Sequence, residues 1–406
     1  MLTLKLAWRN LFRNVRRTVL TCTLISSALI VLILFDGMML GMVDAMVGGI
    51  TKTLSGEAQV HKKGFRENLA PEFYLQNPDE IATALSADER VSAHASRVIV
   101  GGMIASSRNT IGGVIYGVDA ESERNVSKVS QSLYEGKYLS GEKREILIGN
   151  LMAELLEVEL GDRIIITAAS VDDNEIIQEL FRVSGFVEFG QTEIDESIAF
   201  INLDAAQSFL GMQGRVHEIA VRFIDAEDAK DTALPILKLL NQGEIEALGW
   251  PELQPSIAGM IQMTDISSGI IGSILFILTA LGVINSMFMS IYERIYEFGI
   301  ARAIGTTPGQ IFSLVLFEAF LLGAMASVIG LAMGYFLSSY FNVNGIPVGE
   351  FEFSGVGIDG NLRTELRSYQ FIAFPIYVTA LTVFAAIYPG IFASKITLSR
   401  ALQRTL

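Results

Sequence analysis

Four apolar stretches, one before and three after a long polar region, constrain this chain more than any other feature. About 18–20 mostly apolar residues suffice to cross a bilayer core of roughly 30 Å. Thr18 to Phe35 contains no charge, and its apolar character continues past Asp36 through Met38, Met39 and Met42. Ile266 to Tyr292 is a second such run, Ile311 to Phe341 a third with Glu318 as its single charge, and Ser368 to Ser394 a fourth. The first run is longer than a signal-peptide core and passes into Asp36-Gly37-Met38-Met39 without a small-residue cleavage site, so it reads as a retained anchor. Half of the 406 residues are hydrophobic, too many for an ordinary soluble protein and too few for a chain lying wholly in lipid.

Charge orients the spans. Lys5, Arg9, Arg13, Arg16 and Arg17 precede the first span, and Lys395, Arg400 and Arg404 follow the last. By the positive-inside rule both ends are cytoplasmic, as an even number of spans also requires. Residues 46–264 then lie outside, as do residues 342–367, while 293–310 lie inside. Most of the formal charge of −14 falls in the external region, which argues against nucleic acid as a partner. The lone cysteine, Cys22, sits in an apolar run, so the external region has neither disulfide nor thiolate metal site and must fold on its own core.

That region reads as a mixed α+β domain, in two lobes. Gly56–His61, Arg97–Ala105, Gly113–Val118, Ile164–Thr167, Phe181–Val187, Ser197–Ile201 and Glu218–Phe223 read as strands. Asn77-Pro78-Asp79-Glu80 starts a helix, and Leu151–Leu156, Ala205–Leu210 and Ala226–Leu240 look helical. His61, His94 and His217 lack partners at ligand spacing and read as packed or surface histidines, not as metal ligands. The acidic run from Glu188 to Glu196 reads as a solvated loop rather than an acid–base pair. No GxSxG, HExxH or GxxxxGK[ST] motif occurs. Neither a catalytic site nor a cofactor or metal site is expected on this chain, and any ATP-driven step needs another one.

Two cytoplasmic segments carry the remaining signal. Leu4, Trp8, Leu11, Phe12 and Val15 share one helical stripe, with Lys5, Arg9, Arg13 and Arg16 on the other side, as in an interfacial amphipathic helix. Between the second and third spans, Glu293 and Glu297 stand at i,i+4, with Arg294 and Arg302 supplying opposite charge. Gly305 can end this short helix and Thr307-Pro308 can start the next.

This stretch resembles the coupling helix of the type VII ABC permeases, the MacB/FtsX/LolC/LolE class. Asn285, Met287, Glu293, Arg294, Glu297, Phe298, Gly299, Arg302, Ala303, Ile304 and Gly305 meet its pattern. Ala7-Trp8-Arg9-Asn10-Leu11, with the basic residues through Arg16 and Arg17, resembles the family's elbow helix. Leu147-Ile148-Gly149, Leu160-Gly161-Asp162-Arg163 and Val183-Ser184-Gly185-Phe186 resemble its external domain, and Tyr388-Pro389, Ala393, Leu398, Ala401 and Leu402 its last span and exit. The resemblance implies an α-helical membrane protein with four transmembrane helices in a 1+3 arrangement and a large periplasmic α+β domain. It implies pairing with an identical or homologous permease, ATP and magnesium held on separate ATPase subunits docked at the coupling helix, and force carried outward through the first two spans. MacB carries its ATPase on the same chain, whereas this sequence opens at the elbow, which favours the lipoprotein-releasing LolC/LolE-like branch.

The resemblance thus implies a subunit that extracts lipoprotein or lipid-like cargo from the inner membrane for a periplasmic carrier. A MacB-like efflux permease with a periplasmic adaptor and an FtsX-like regulator without cargo are the alternatives. Met38, Met39 and Met42 are candidates for a soft wall facing acyl chains. Glu318, an acid inside a span, is a candidate for a structural or coupling role. Gly323, Gly330 and Gly334 permit close helix packing in the same span.

Overall fold

The computed structural model describes residues 2–142, 144–171, 175–225, 228–229, 234–347, 351–353, 356–358 and 361–396. The tail residues Leu398, Arg400, Ala401, Leu402 and Arg404 lie outside them. The chain divides into two units, one of residues 1–44, 261–348 and 361–406, the other of residues 45–260 and 349–360.

The first unit is helical. Helix α1 (Leu2–Arg13) is followed at Asn14 by a break and then by α2 (Val15–Ile50). After the intervening domain come α3 (Pro255–Glu293), α4 (Ile295–Ala303), α5 (Pro308–Asn344), α6 (Ser368–Ala385) and α7 (Ile387–Ser394). Among the described residues four helices are long and apolar enough to cross a membrane, the fourth being α6 and α7 together. The four-span, 1+3 expectation therefore holds. At 1.5 Å per residue, α2 and α3 are about 54 and 58 Å long, well beyond a hydrocarbon core of roughly 30 Å. Pro389 has no N–H for the carbonyl of Ala385, which is where α6 stops and α7 starts. Thr307 and Gln310 form a reciprocal capping box at the start of α5, with Pro308 in its first turn.

The spans pack through small residues. Without a hydrophobic drive between helices in lipid, close contact and buried hydrogen bonds must hold them together. Gly330 and Gly334 of α5 abut Leu29 and Ile33 of α2, and Gly323 abuts Thr382 of α6. Ser26 Oγ donates to the Ala326 carbonyl at 2.9 Å, and Ser327 lies 3.0 Å from the Thr379 hydroxyl. Cys22, Ile25, Leu29, Ile33, Val283, Ala319, Ala326 and Val378 form the shared core. By contrast α3 leaves Ile266, Ile270, Ile274, Ile277, Leu278 and Leu281 exposed.

Among the described residues the second unit contains a sheet of ten strands, β1 (Ala58–Lys62), β2 (Val91–Ala105), β3 (Thr110–Val118), β4 (Leu133–Gly136), β5 (Glu145–Gly149), β6 (Arg163–Ala169), β7 (Ile176–Val187), β8 (Ile198–Asn202), β9 (Glu218–Phe223) and β10 (Ile245–Gly249), beside a short pair at Phe351–Phe353 and Val356–Ile358. Their order is β10-β1-β9-β2-β3-β8-β5-β7-β4, and β6 joins β2 to β7. The pairings β2-β3-β8-β5-β7-β6-β2 therefore close a circuit, which removes sheet edges from those strands. Successive residues of a strand face opposite sides. Ile146 and Ile148 accordingly enter one core with Ala199 and Ile201, and Leu147 enters another with Ile198 and Phe200.

Three expectations change here. The run from Glu188 to Glu196 is not a plain solvated loop: Thr192–Ser197 is a helix and Asp195 is buried, accepting the Phe189 and Gly190 N–H groups at 2.9 and 3.0 Å. Burial pushes its carboxyl above the usual range against the pull of those donors. In place of a helix over Ala226–Leu240 the structure has Pro235–Leu240, residues 226, 227 and 230–233 lying outside the described residues. The strand expected from Phe181 begins earlier, at Ile176, because Gln178 and Leu180 alternate outward with it while pairing to β6.

Of the histidines, His61 and His217 are buried. His217 Nδ1 accepts the Ile99 N–H at 2.9 Å, its Nε2 donates to the Pro71 carbonyl at 3.0 Å, and its ring stacks on Phe65. Burial pulls its pKa down to about 4, partly opposed by the Pro71 carbonyl, so the ring is neutral.

Candidate coupling site

The basic elbow residues and the acids between the second and third spans meet in space. Arg13 pairs with Glu297, and Arg17 pairs with Glu293. Asn14 Nδ2 donates to Glu293 at 3.0 Å, and Asn10 Nδ2 donates to Glu318 at 2.5 Å. Asn14 can reach because it stands at the break between α1 and α2; Thr18 Oγ1 donates to the Leu11 carbonyl at 2.6 Å across that turn.

Arg294 turns inward. Its Nη1 lies 2.8 Å from Glu318 Oε1, its Nε donates to Glu297 at 3.4 Å, and its guanidinium stacks over Phe298 at 5.1 Å. The Arg294 and Glu318 side chains are only 12 % and 8 % exposed. A pair this deep is costly to desolvate and holds because each charge is hydrogen-bonded more than once. Glu318 thus ties α1, the connection and α5 together. For Glu297, burial pushes the carboxyl up, but the hydrogen bond and charge of Arg13, with Arg294, outweigh this and hold it below the usual range.

The structure separates the remaining expected residues. Phe298 and Gly299 are buried, Phe298 against Ile291, Ile311 and Ala393. Arg302 pairs with neither Glu293 nor Glu297 among the described residues, so the charge partner expected of it is supplied by Arg13 and Arg17 instead. Ala303 and Gly305 are exposed, Gly305 with φ +104° at the turn that only a residue without Cβ adopts freely. Trp8 is exposed and meets Phe12 edge-on at 5.0 Å; Arg9 and Arg16 are exposed as well. The break at Asn14 interrupts the apolar stripe expected on one helix: on α1 Leu11 is buried while Trp8 and Phe12 are exposed, Val15 begins α2 and is exposed, and the Leu4 side chain is outside what the structure describes.

One feature of α4 escapes a pattern match. Tyr296 and Ile300 on α4 and Ile304, the residue that caps it, are 47 %, 41 % and 81 % exposed and recur every four residues, so they line one face. Their i,i+4,i+8 spacing is visible in the sequence, but charge pairs draw attention away from it.

Met38, Met39 and Met42 are half-buried. Met39 lines a cavity of about 350 Å³ with residues of α2, α3 and α6; Met38 and Met42 do not.

The external unit offers a second surface. On the outward face of β2, β6 and β7, Met103, Ile165 and Leu180 are exposed, Ile165 directly opposite Leu180. Arg163 faces Arg182 across the same pair of strands, two like charges set side by side at the edge of an apolar patch.

The MacB-like periplasmic core domain model matches residues 18–236, more than half of the chain, and the FtsX-like permease C-terminal model matches residues 269–398. The chain belongs to the MacB/FtsX-type ABC permeases. The permease is 24 % identical to the lipoprotein-releasing system transmembrane protein LolC of Xylella fastidiosa over 71 % of this chain and 72 % of that one. It is 25 % identical to the macrolide export ATP-binding/permease protein MacB of Escherichia coli over 30 % of this chain and 20 % of that protein. The solved periplasmic region of MacB from Actinobacillus actinomycetemcomitans is similar to the permease over 50 % of this chain and 94 % of that one, at 12 % identity and a TM-score of 0.35.

Proposed function

We propose that this permease is the membrane subunit of a lipoprotein-releasing machine of the inner membrane, with both termini in the cytoplasm and the large domain in the periplasm. ATP and magnesium reside on separate ATPase subunits, and the permease pairs with a second copy or a homologue. The polar clamp that joins α1 to the connection after α3 carries this reading. It makes the elbow and α4 one body, so an ATPase docked on the face of Tyr296, Ile300 and Ile304 moves both. Helices α2 and α3, longer than the bilayer core, carry that motion outward. The similarity to LolC supports lipoprotein as cargo. The patch of Met103, Ile165 and Leu180 beside Arg163 and Arg182 suits a periplasmic carrier with an apolar contact edged by carboxylates.

The test is to purify the tagged permease from its native membrane in mild detergent, identify what accompanies it, assay ATP hydrolysis, and follow lipoprotein release from proteoliposomes. An ATPase, ATP-dependent release and a carrier that accepts the product support the proposal. An ATPase with a tubular adaptor and no release moves the assignment to efflux; an ATPase with neither moves it to a cargo-free regulator.

A further inference from the structure

The cavity of about 350 Å³ between α2, α3 and α6 is lined by a carboxylate, Asp36, that lies outside the clamp around Glu318. Asp36 follows the charge-free run Thr18–Phe35 in α2, at the outer end of that span, where a head group would lie. Its Oδ2 accepts two neutral donors, the Tyr369 hydroxyl at 2.6 Å and Gln370 Nε2 at 2.7 Å. Among the described residues no lysine or arginine forms an ion pair with it. The two donors hold the carboxylate in place without cancelling its charge.

The rest of the lining fits a cation with an apolar tail. Phe35, Tyr369 and Tyr377 present aromatic rings, whose faces attract ammonium groups. Asp265 adds a second carboxylate from α3, and the Ser268 hydroxyl, which also belongs to the lining, is buried without a hydrogen-bond partner among the described residues.

We infer that this cavity holds the ammonium group of an amphiphile, with Asp36 as its counter-ion and the aromatic side chains around it. The inference rests on the lipid-handling reading and names the chemistry of its cargo or of the lipid that accompanies it. Two sources carry that group: a phospholipid with an amino head group, and a cysteinyl lipopeptide whose amino terminus is free.

The full chain in maltoside micelles is titrated with a fluorescent long-chain alkylamine and with the alcohol of the same length. A tenfold or greater preference for the amine is expected, corresponding to about 1.4 kcal/mol. Asp36→Asn should bring the preference to within about twofold while alcohol binding, which reports that the cavity is intact, stays unchanged. Asp36→Glu should keep most of it. Equal binding of amine and alcohol by the unaltered chain, or an undiminished preference in Asp36→Asn, overturns the inference. Displacement of the probe by phosphatidylethanolamine alone assigns the site to bilayer lipid, and displacement by the free-amine lipopeptide but not its N-acetylated form assigns it to cargo. Displacement by neither overturns the inference. Co-purification of an ATPase is scored separately with the same variants, so loss of amine preference and failure of the transporter assignment read out independently.

Discussion

Arg294 donates to Glu318 across 2.8 Å, from the connection between two spans into the body of the third. Asn10 of the elbow donates to the same carboxylate oxygen. Truncating either member of such a pair strands a buried charge, at a typical cost of about 3 kcal/mol, whereas replacing both with apolar residues is far milder. Glu318→Leu and Arg294→Met alone should each lower the melting midpoint of the purified chain, and the double variant should recover much of the loss. Additive losses would show that the two side chains do not depend on each other.

His217 makes the external domain acid-sensitive. Its ordinary pKa of 6.5 falls to about 4 on folding, so the unfolded chain binds the extra proton first. Stability from this residue is present in full above about pH 6.5 and is lost as pH falls towards 4, by up to about 3 kcal/mol. Protonation also removes the acceptor for the Ile99 N–H. His217→Gln should flatten the stability–pH curve across that window; an unchanged slope would mean that other groups set it.

Arg97 is wholly buried between Glu123 and Glu218, donating to Glu123 at 2.6 and 3.0 Å and to Glu218 at 3.0 Å. Arg97→Leu leaves two carboxylates facing each other without a cation and should cost about 3–5 kcal/mol. Limited proteolysis of the membrane-embedded chain should then cut the external domain rapidly. Protection equal to that of the unaltered chain would contradict this.

A Cβ on Gly41 would overlap the carbonyl oxygen of Arg363, backbone against backbone, where residues 363–365 run close along α2. Gly41→Ala should destabilise the chain by about 1–3 kcal/mol through forced separation. Gly269→Ala, with nothing within 4 Å of the new carbon, is the matched control and should leave the melting midpoint near that of the parent.

Much of this was legible before any coordinates. Apolar runs mark the four spans because lipid leaves a helix no other way to satisfy its backbone. Gly305 and Thr307-Pro308 mark the turn after α4 because φ > 0 and a capping box have local chemistry. What was not legible is long-range. Glu297 meets Arg13 and Glu293 meets Arg17 across more than 270 residues, and nothing local distinguishes them from a helix pairing its own charges. Arg97 sits in a strand that reads as apolar, and its two acids come from a helix and from β9. Asp195 looked like one more acid in a polar run; only the fold shows that it closes the turn of Phe189 and Gly190. The pattern that marks the candidate coupling residues mixes inward supports such as Arg294 and Phe298 with the outward face.

The most direct test of the central claim is a charge placed on that outward face. Ile300→Asp leaves the clamp of Arg13, Arg17 and Arg294 untouched while putting a carboxylate on the apolar stripe of Tyr296, Ile300 and Ile304. The account predicts that the variant reaches the membrane at parental levels, melts like the parent, and loses at least about tenfold in affinity for its ATPase, as a buried unpaired charge at an interface demands. An Ile300→Asp chain that binds the ATPase and supports its hydrolysis as the parent does would place the docking surface elsewhere and contradict the account.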